Sequence, residues 1–444
     1  MRRTIVLLAT MALTVLVASG VALAAGIGSA GAQSSVVGPG ESIQKAVNAA
    51  DPGDTIVVRG VHREDVIIRK NGIKLRGDDA VIEAPTRAKA DSPCSKAVGG
   101  PQGICVWGDF NIKTGELTGQ RISDVSVSGF TIRGFKIKGK GGDSVSVIDV
   151  YAARNATVVG NRLIGNAALG ISASGRSVNT TVAKNHLIGS PKNVSKGINV
   201  DGDSRNTKVV NNVVRNYPKF TNAIEVEETV DTTVAGNDLI GNWVGVFVEQ
   251  NSTGTKILSN DMSRSGYAGI FMTGPKPVNA KVVGNNISGG AWGIDVVDTK
   301  RGSFAGNNIH DNCAGMFFEG FESQPVGEFE VKGNIVENNT RSCRAAQFGG
   351  TFSGIGIALN GASGMEVTGN HLSGNVPSGP TAVSGGVVVS TDPFFGGTTK
   401  PTNNSVTGNH FGRNKPDIFW DGSGSGNSFL GNLCDTSIPA SLCN

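Results

Sequence analysis

Gly160-Asn161-Arg162-Leu163, Lys184-Asn185-His186-Leu187 and Asn211-Asn212-Val213-Val214 are three copies of one short pattern. A small or polar residue precedes an asparagine, and an apolar residue follows one position later. The pattern returns with its asparagine at Asn237, Asn260, Asn285, Asn307, Asn334, Asn370, Asn409 and Asn432, at gaps that mostly fall in the twenties. A fixed period of that size marks one supersecondary unit, repeated and stacked. A second signal lies between the asparagines: Gly170-Ile171-Ser172-Ala173, Gly197-Ile198-Asn199-Val200, Gly245-Val246-Phe247-Val248, Gly269-Ile270-Phe271-Met272, Gly293-Ile294-Asp295-Val296 and Gly315-Met316-Phe317-Phe318. These are short strands, apolar at alternate positions, with no helical periodicity between them. Short strands wound once per repeat and stacked many times make a parallel β-helix.

The asparagine has two physical tasks in such a coil. It is expected to take the left-handed backbone conformation at a sharp turn, which Asn accepts better than other residues with a side chain. Its amide is expected to bond to its counterparts in the coils above and below, since stacked strands lie about 4.8 Å apart. A buried amide is stable only with such partners.

Residues 1–32 read as a signal peptide: Arg2 and Arg3, the apolar run Ile5 to Val17, then small-residue cleavage sites after Ala24 or Ala32. The remainder, 33–444, reads as one β-helix domain, secreted and without a membrane span once the signal is cleaved. Glu41 to Ala50 has the pattern of a short amphipathic helix, stopped by Asp51-Pro52-Gly53-Asp54. A helix ahead of the stack would cap its first coil, whose apolar end and strand edge are otherwise open.

Here the chain resembles a known group. Ser42-Ile43-Gln44-Lys45-Ala46-Val47, Pro52-Gly53-Asp54-Thr55-Ile56-Val57-Val58 and Gly72-Ile73-Lys74-Leu75-Arg76-Gly77 are similar to the entry segment of secreted right-handed parallel β-helix proteins of the pectate-lyase-like superfamily. That group includes polysaccharide lyases, glycosidases and uronate epimerases. A set of secreted actinobacterial members is more similar still. They carry a loop resembling Gly103-Ile104-Cys105-Val106-Trp107 and a tail resembling Trp420-Asp421-Gly422-Ser423-Gly424, Asn432-Leu433-Cys434 and Leu442-Cys443. The resemblance implies an all-β fold, a single-stranded right-handed parallel β-helix with a short N-terminal capping helix. It implies no particular activity, because fold does not dictate function.

Composition agrees. Charged residues are 17% and aromatic ones 6%, against 64 glycines, which suits a fold that needs turns more than bulky core residues. A formal net charge of +4 gives no footprint for nucleic acid. The chain is expected to be a monomer.

Three segments lengthen or interrupt the repeat: 91–119, 338–353 and 390–403. Insertions in solenoids form loops on one face and often carry binding. The last two hold Phe348, Phe352, Phe394 and Phe395, which are expected mainly to tuck the loops onto the coils. Six cysteines in an exported chain point to disulfides. Cys94 and Cys105 share a loop, Cys434 and Cys443 share the tail, and Cys313 and Cys343 fall at equivalent places in successive coils. Those are the expected pairs.

Aligned on their leading glycine or its equivalent, these strands point Ser172, Asn199, Glu225, Phe247, Phe271, Asp295 and Phe317 outward in one column. Ser174, Asp201, Glu227, Glu249, Thr273, Val297 and Glu319 form the next. Carboxylates one coil apart repel, so a cation, a basic neighbour or a proton must compensate. Asp201, Glu227 and Glu249 are therefore the candidate catalytic residues. Phe247, Phe271, Asp295 and Lys196 are the candidate substrate-binding residues, with the two phenylalanines as a platform for sugar rings. Asp201, Asp203, Glu227 and Glu249 could begin the six to eight oxygens of a Ca²⁺ site; no other cofactor is indicated. Carboxylates about 5 or about 9 Å apart also suit retaining and inverting glycosidases. Asn199-Val200-Asp201-Gly202 is one residue from a polygalacturonase signature, but the signatures that should follow it are missing. His186, His371 and His410 each follow a ladder asparagine and read as turn residues. Two functions stand. One is a carbohydrate-active enzyme, lyase or glycoside hydrolase, acting on extracellular polysaccharide. The other is a non-catalytic extracellular or envelope module that binds glycan or protein.

Overall fold

The computed structural model describes residues 31–85, 94–95, 100–111, 113–136, 145–190, 195–217, 220–249, 251–276, 278–321, 326–344, 350–394 and 396–443. Residues 1–30, which lie within the stretch read from sequence as a signal peptide, and Phe348 and Phe395 lie outside them. The chain divides at Gly31, and Ala32–Asn444 forms one compact unit. Among the described residues no helix is long and apolar enough to cross a membrane.

Each coil contributes three strands. Thr233–Ala235, Asp238–Ile240 and Val244–Glu249 pair in parallel with Lys256–Leu258, Asp261–Ser263 and Ala268–Thr273 of the following coil. The first two rows belong to one 24-stranded sheet bent at the asparagines; the third rows form a 14-stranded sheet. Alternation does what the pattern requires. Val246 and Val248, Ile270 and Met272, Ile294 and Val296 are fully buried between the sheets, while Phe247, Phe271 and Asp295 stand in register on the outer surface. The leading glycine of these strands answers to crowding rather than to a turn. A Cβ on Gly245 would lie 2.4 Å from the carbonyl oxygen of Gly269, and one on Gly269 only 2.3 Å from Ile287 Cγ2.

The asparagines form a ladder. Asn237 Nδ2 donates to Asn260 Oδ1 at 2.9 Å and to the Val209 carbonyl at 2.9 Å, and the Asn237 backbone N–H shares the same Oδ1. Asn260 repeats the arrangement with Asn285 and Val234. The series runs from Asn161 to Asn432. The left-handed residue is not the ladder asparagine, however, but its predecessor: Gly160, Lys184, Asn211, Gly236, Ser259 and Gly284 all have φ between 51° and 66°. The preceding residue makes the bend, and that aims the amide inward. A second ladder lies five positions later, through Asn312, Asn339, Asn375 and Asn414. Replacing Asn260 by alanine removes both its amide bonds and the acceptor for Asn237. We expect a loss on the order of 1–3 kcal/mol in urea unfolding; a change of a few tenths would reduce the ladder to turn formation.

The ends and insertions follow the expectations with three differences. The helix spans Ile43–Ala49 rather than Glu41 to Ala50, because Ser42 is its N-cap, with Oγ accepting from Lys45 N at 3.2 Å. The segment 91–119 is not only a projecting loop. Ile104–Trp107 is a coil strand paired with Val66–Ile68 and Ser146–Tyr151, its Ile104 and Val106 buried, and a small hairpin, Phe110–Asn111 with Glu116–Leu117, follows. The histidines are not in turns: His186, His371 and His410 open second-row strands and lie in one column with Arg162 and Ile335. Cys94 bonds Cys105, Cys313 bonds Cys343 and Cys434 bonds Cys443, with Cα atoms 6.6, 5.9 and 5.4 Å apart.

Candidate functional site

The outer surface of the 14-stranded sheet carries the acidic residues. Register places Asn199 beside Glu225, Glu225 beside Phe247, Glu227 beside Glu249 and Phe247 beside Phe271. Oxygens of Glu225, Glu227 and Glu249 all lie within 4.8 Å of one another. At that separation two unit charges repel by about 3 kcal/mol in an effective dielectric of about 20. Three bare carboxylates are therefore not tolerable together.

Lys196 supplies the compensation. Its ammonium contacts Glu225 Oε1 and lies 3.8 Å from Glu227 Oε2, and its side chain is mostly buried. Glu249 has no such contact with Lys196. Burial first, then the charges of Glu225 and Glu227, push its carboxyl up to about 7. Asp201 is also raised to about 7, by burial first. Lys196 opposes that shift and Glu227 and Glu225 add to it, while Asn199 Nδ2 donates to Asp201 Oδ2. Asp149, two coils before Asn199 in the same column, is fully buried. It is raised to about 7 by burial and by Asp201, although Gln102 Nε2 donates to its Oδ2 at 2.9 Å.

Several assignments change. Asp203 is in a turn with φ of 60°, exposed, its carboxylate 3.5 Å from Arg176, so it stands apart from the carboxylate group. Glu225 joins Glu227 and Glu249 in its place. A Ca²⁺ ion would need six to eight oxygens and would have to displace the Lys196 ammonium from two of the three carboxylates. The donor set fits lysine better than calcium. Phe247 and Phe271 stack on each other, centroids 4.9 Å apart and planes 6° apart. Their facing surfaces are thereby used up, and a sugar can meet only ring edges or the end of the stack. The platform expected from sequence is thus a wall. Phe352 is buried against Trp292 and Phe394 packs on Phe317, so these two phenylalanines do hold the insertions to the coils.

A second acidic pair lies farther along the same columns. Asp295 accepts from Tyr267 Oη at 2.7 Å and is 2% exposed; Glu319, diagonal to it, is 5% exposed. Burial pushes Asp295 up to about 7. It raises Glu319 well above the ordinary range, with Asp295, Asp392 and Asp298 adding to it. The columns contain both residues, but the outward strand position gives no sign of their depth: the counterparts Phe271 and Glu227 are only half-buried. The sign for stability follows. Asp295 binds its proton more tightly folded than unfolded, so between about pH 4 and 7 the folded chain holds more protons and loses stability as pH rises. The melting temperature is expected to be higher at pH 5 than at pH 8, and the Asp295→Asn variant should show a shallower slope. A steeper fall toward pH 5 than toward pH 8 in the wild type would contradict this.

A sequence-family model described as right handed beta helix region matches residues 51–214 and 222–395. No curated protein matches the chain. Solved structures of similar fold include the following three. The A-module of the Azotobacter vinelandii mannuronan C-5 epimerase AlgE6 is 16% identical with a TM-score of 0.50, over 88% of this chain and 93% of that one. XylC in complex with xylose is 11% identical with a TM-score of 0.55, over 85% and 86%. The catalytic unit of a GH87 alpha-1,3-glucanase from Streptomyces thermodiastaticus strain HF3-3 is 14% identical with a TM-score of 0.52, over 91% and 70%. At such identities the likeness is one of fold.

Proposed function

The chain belongs to the right-handed β-helix family, and from that premise we propose that it is a secreted enzyme that cleaves an extracellular polysaccharide by hydrolysis at the Glu225–Glu227–Glu249 group. The observation that carries this reading is the set of carboxyl oxygens within 4.8 Å, one member bearing a raised carboxyl and the others facing a lysine. Disulfides fit an oxidising compartment. The solved structures of similar fold include an epimerase of mannuronan and a glucanase, which supports a glycan as substrate.

Near neutral pH a carboxyl at about 7 still carries a proton part of the time, so Glu249 serves as general acid. It gives that proton to the glycosidic oxygen as the bond to the anomeric carbon breaks. Glu227 takes up the anomeric carbon; its spacing from Glu249 is near the about 5 Å of retaining glycosidases rather than the longer inverting distance. Water, deprotonated by Glu249, then releases the sugar and restores both groups. Lys196 keeps the negative charge of Glu225 and Glu227 tolerable and holds their orientation. The wall of Phe247 limits how a chain can lie along the coils.

The test is a thermal shift with a panel of neutral and acidic polysaccharides, comparing wild type with the triple change Glu225→Gln, Glu227→Gln, Glu249→Gln. A ligand that binds the folded state raises the melting temperature by mass action. One or more glycans should shift the wild type and leave the triple variant unmoved. If the variant keeps the full shift, the acidic group is a solvated surface and the binding-module reading takes its place.

A further inference from the structure

Beside the carboxylate group runs a row of aromatic rings, one end of which is open to water. Phe220 meets Trp243 with ring centroids 5.5 Å apart, and Trp243 meets Tyr267 at 5.8 Å. Tyr267 meets Trp292 at 4.7 Å, and Trp292 meets Phe352 at 4.5 Å. The far end is buried, with Trp292 6% and Phe352 2% exposed, and Tyr267 Oη is tied to Asp295. Trp243 is half-buried. A Cβ on Gly266 would lie 2.7 Å from its Cε3, so the indole is seated against a position that glycine leaves open. Phe220, at the near end, is 67% exposed. Among the described residues no other aromatic side chain is exposed.

Two features of Phe220 work against folding. Burying such a ring is among the larger gains open to a side chain, and here it is forgone. Its backbone φ is 66°, the left-handed region that glycine and asparagine enter easily and bulky side chains do not. Backbone outliers of that kind cluster where ligands are held. Position indicates the ligand. Asn222 pairs with Val244, and its carbonyl accepts from the Gly197 N–H at 2.9 Å. Phe220 and Trp243 therefore border the row from which Lys196 reaches Glu225. Phe220 precedes Glu225 by five residues, about 17 Å at most at the rise of a strand, so one glycan chain can reach both. The rings of Phe220 and Trp243 are tilted by 57° and do not close face to face, as Phe247 and Phe271 do at 6°. An open aromatic face beside polar groups suits the C–H face of a pyranose.

We infer that Phe220 and Trp243 form the sugar-stacking platform of the site, an outlying subsite that holds one pyranose ring while the chain runs on to Glu225, Glu227 and Glu249. This rests on the glycan reading above and adds to it where the chain is held and by which face. The buried end of the row keeps the platform in place before the sugar arrives, so little ordering is needed on binding.

The experiment is calorimetric titration of the full chain with cellohexaose, xylohexaose, mannohexaose and an oligogalacturonate of the same length. The variants are Phe220→Gly, which removes the ring, and Trp243→Leu, which keeps apolar bulk and removes the flat face. At least one oligosaccharide should bind the wild type, and each variant should bind it about ten-fold more weakly or worse. The same sugar should change the tryptophan fluorescence of the wild type, and that change should be lost in Trp243→Leu. Without ligand, Phe220→Gly should melt at or above the wild-type temperature, because glycine relieves the left-handed backbone. Unchanged affinity in both variants, or no binding of any of the four probes to the wild type, would overturn the platform. A fall of more than about 5 °C in Phe220→Gly would also overturn it, since the ring would then serve folding. Glu249→Gln, run alongside, separates the two claims. Loss of cleavage in Glu249→Gln with unchanged affinity in the Phe220 and Trp243 variants removes the platform alone. Binding that depends on Phe220 with no cleavage by the wild type removes the catalytic reading alone.

Discussion

Replacing Lys196 by methionine is expected to destabilise the protein by about 3–5 kcal/mol, the range for stripping one partner from a buried ion pair. The Glu225 side chain is 2% exposed and that of Lys196 18%, so water cannot take over for the lost ammonium. Glu227 and Glu249 stand within 4.8 Å and would add their repulsion. The loss should therefore be mostly recovered when Glu225→Gln is added, because the amide removes the charge that methionine left unpaired. The single variant is also expected to show a larger rise of melting temperature with millimolar CaCl₂ than the wild type, since the carboxylates are then open to a cation. Urea unfolding of the two variants checks the first part. A single variant within half a kcal/mol of wild type, or a double variant no better than the single, would show that the pair is screened by solvent and that Lys196 is not the counter-charge.

The second large effect concerns rate. Changing Glu249 to glutamine preserves shape and removes the proton. General acid catalysis contributes roughly a hundred- to ten-thousand-fold, so kcat on the cleaved glycan should fall at least about a hundred-fold. Because the residue is outward-facing and half-buried, the melting temperature should not fall, and loss of its repulsion with Glu225 and Glu227 can raise it. Asp203→Asn is the matched control. That carboxylate sits on Arg176 in an exposed turn, and such pairs are worth little. Equal losses in both variants would remove Glu249 from the chemistry.

Which parts of this were legible beforehand follows from what repeats and what does not. The ladder asparagines, the inward pairs such as Val246 and Val248, and the outward columns recur at fixed offsets, so the register of the coils could be read from the sequence and the strand pairings agree with it. Three kinds of information are not carried by that pattern. The left-handed turn belongs to Ser259 or Gly284 rather than to the following asparagine, a matter of one residue that a pattern centred on Asn obscures. Glu225 occupies the same column as the phenylalanines and was passed over, because column membership alone does not say that Lys196 reaches it from the preceding coil. The depth of Asp295 and Glu319 departs from their outward strand positions, whose counterparts Phe271 and Glu227 in other coils are half-buried. The stacking of Phe247 on Phe271 was implicit in the coil spacing. Outward rings one coil apart face each other, and so the faces they turn toward each other are closed to a sugar.

The most direct test of the account is the product formed from a polysaccharide that binds the protein, followed by proton NMR from the first turnover. The account predicts that the wild type shortens the chain, that the new reducing end appears first with the anomeric configuration of the bond that was cut, and that Glu249→Gln does this at least about a hundred-fold more slowly. A polysaccharide that binds tightly yet keeps its full length through prolonged incubation, or is shortened equally fast by Glu249→Gln, would contradict it and leave the acidic face as a surface that holds glycan without cutting it.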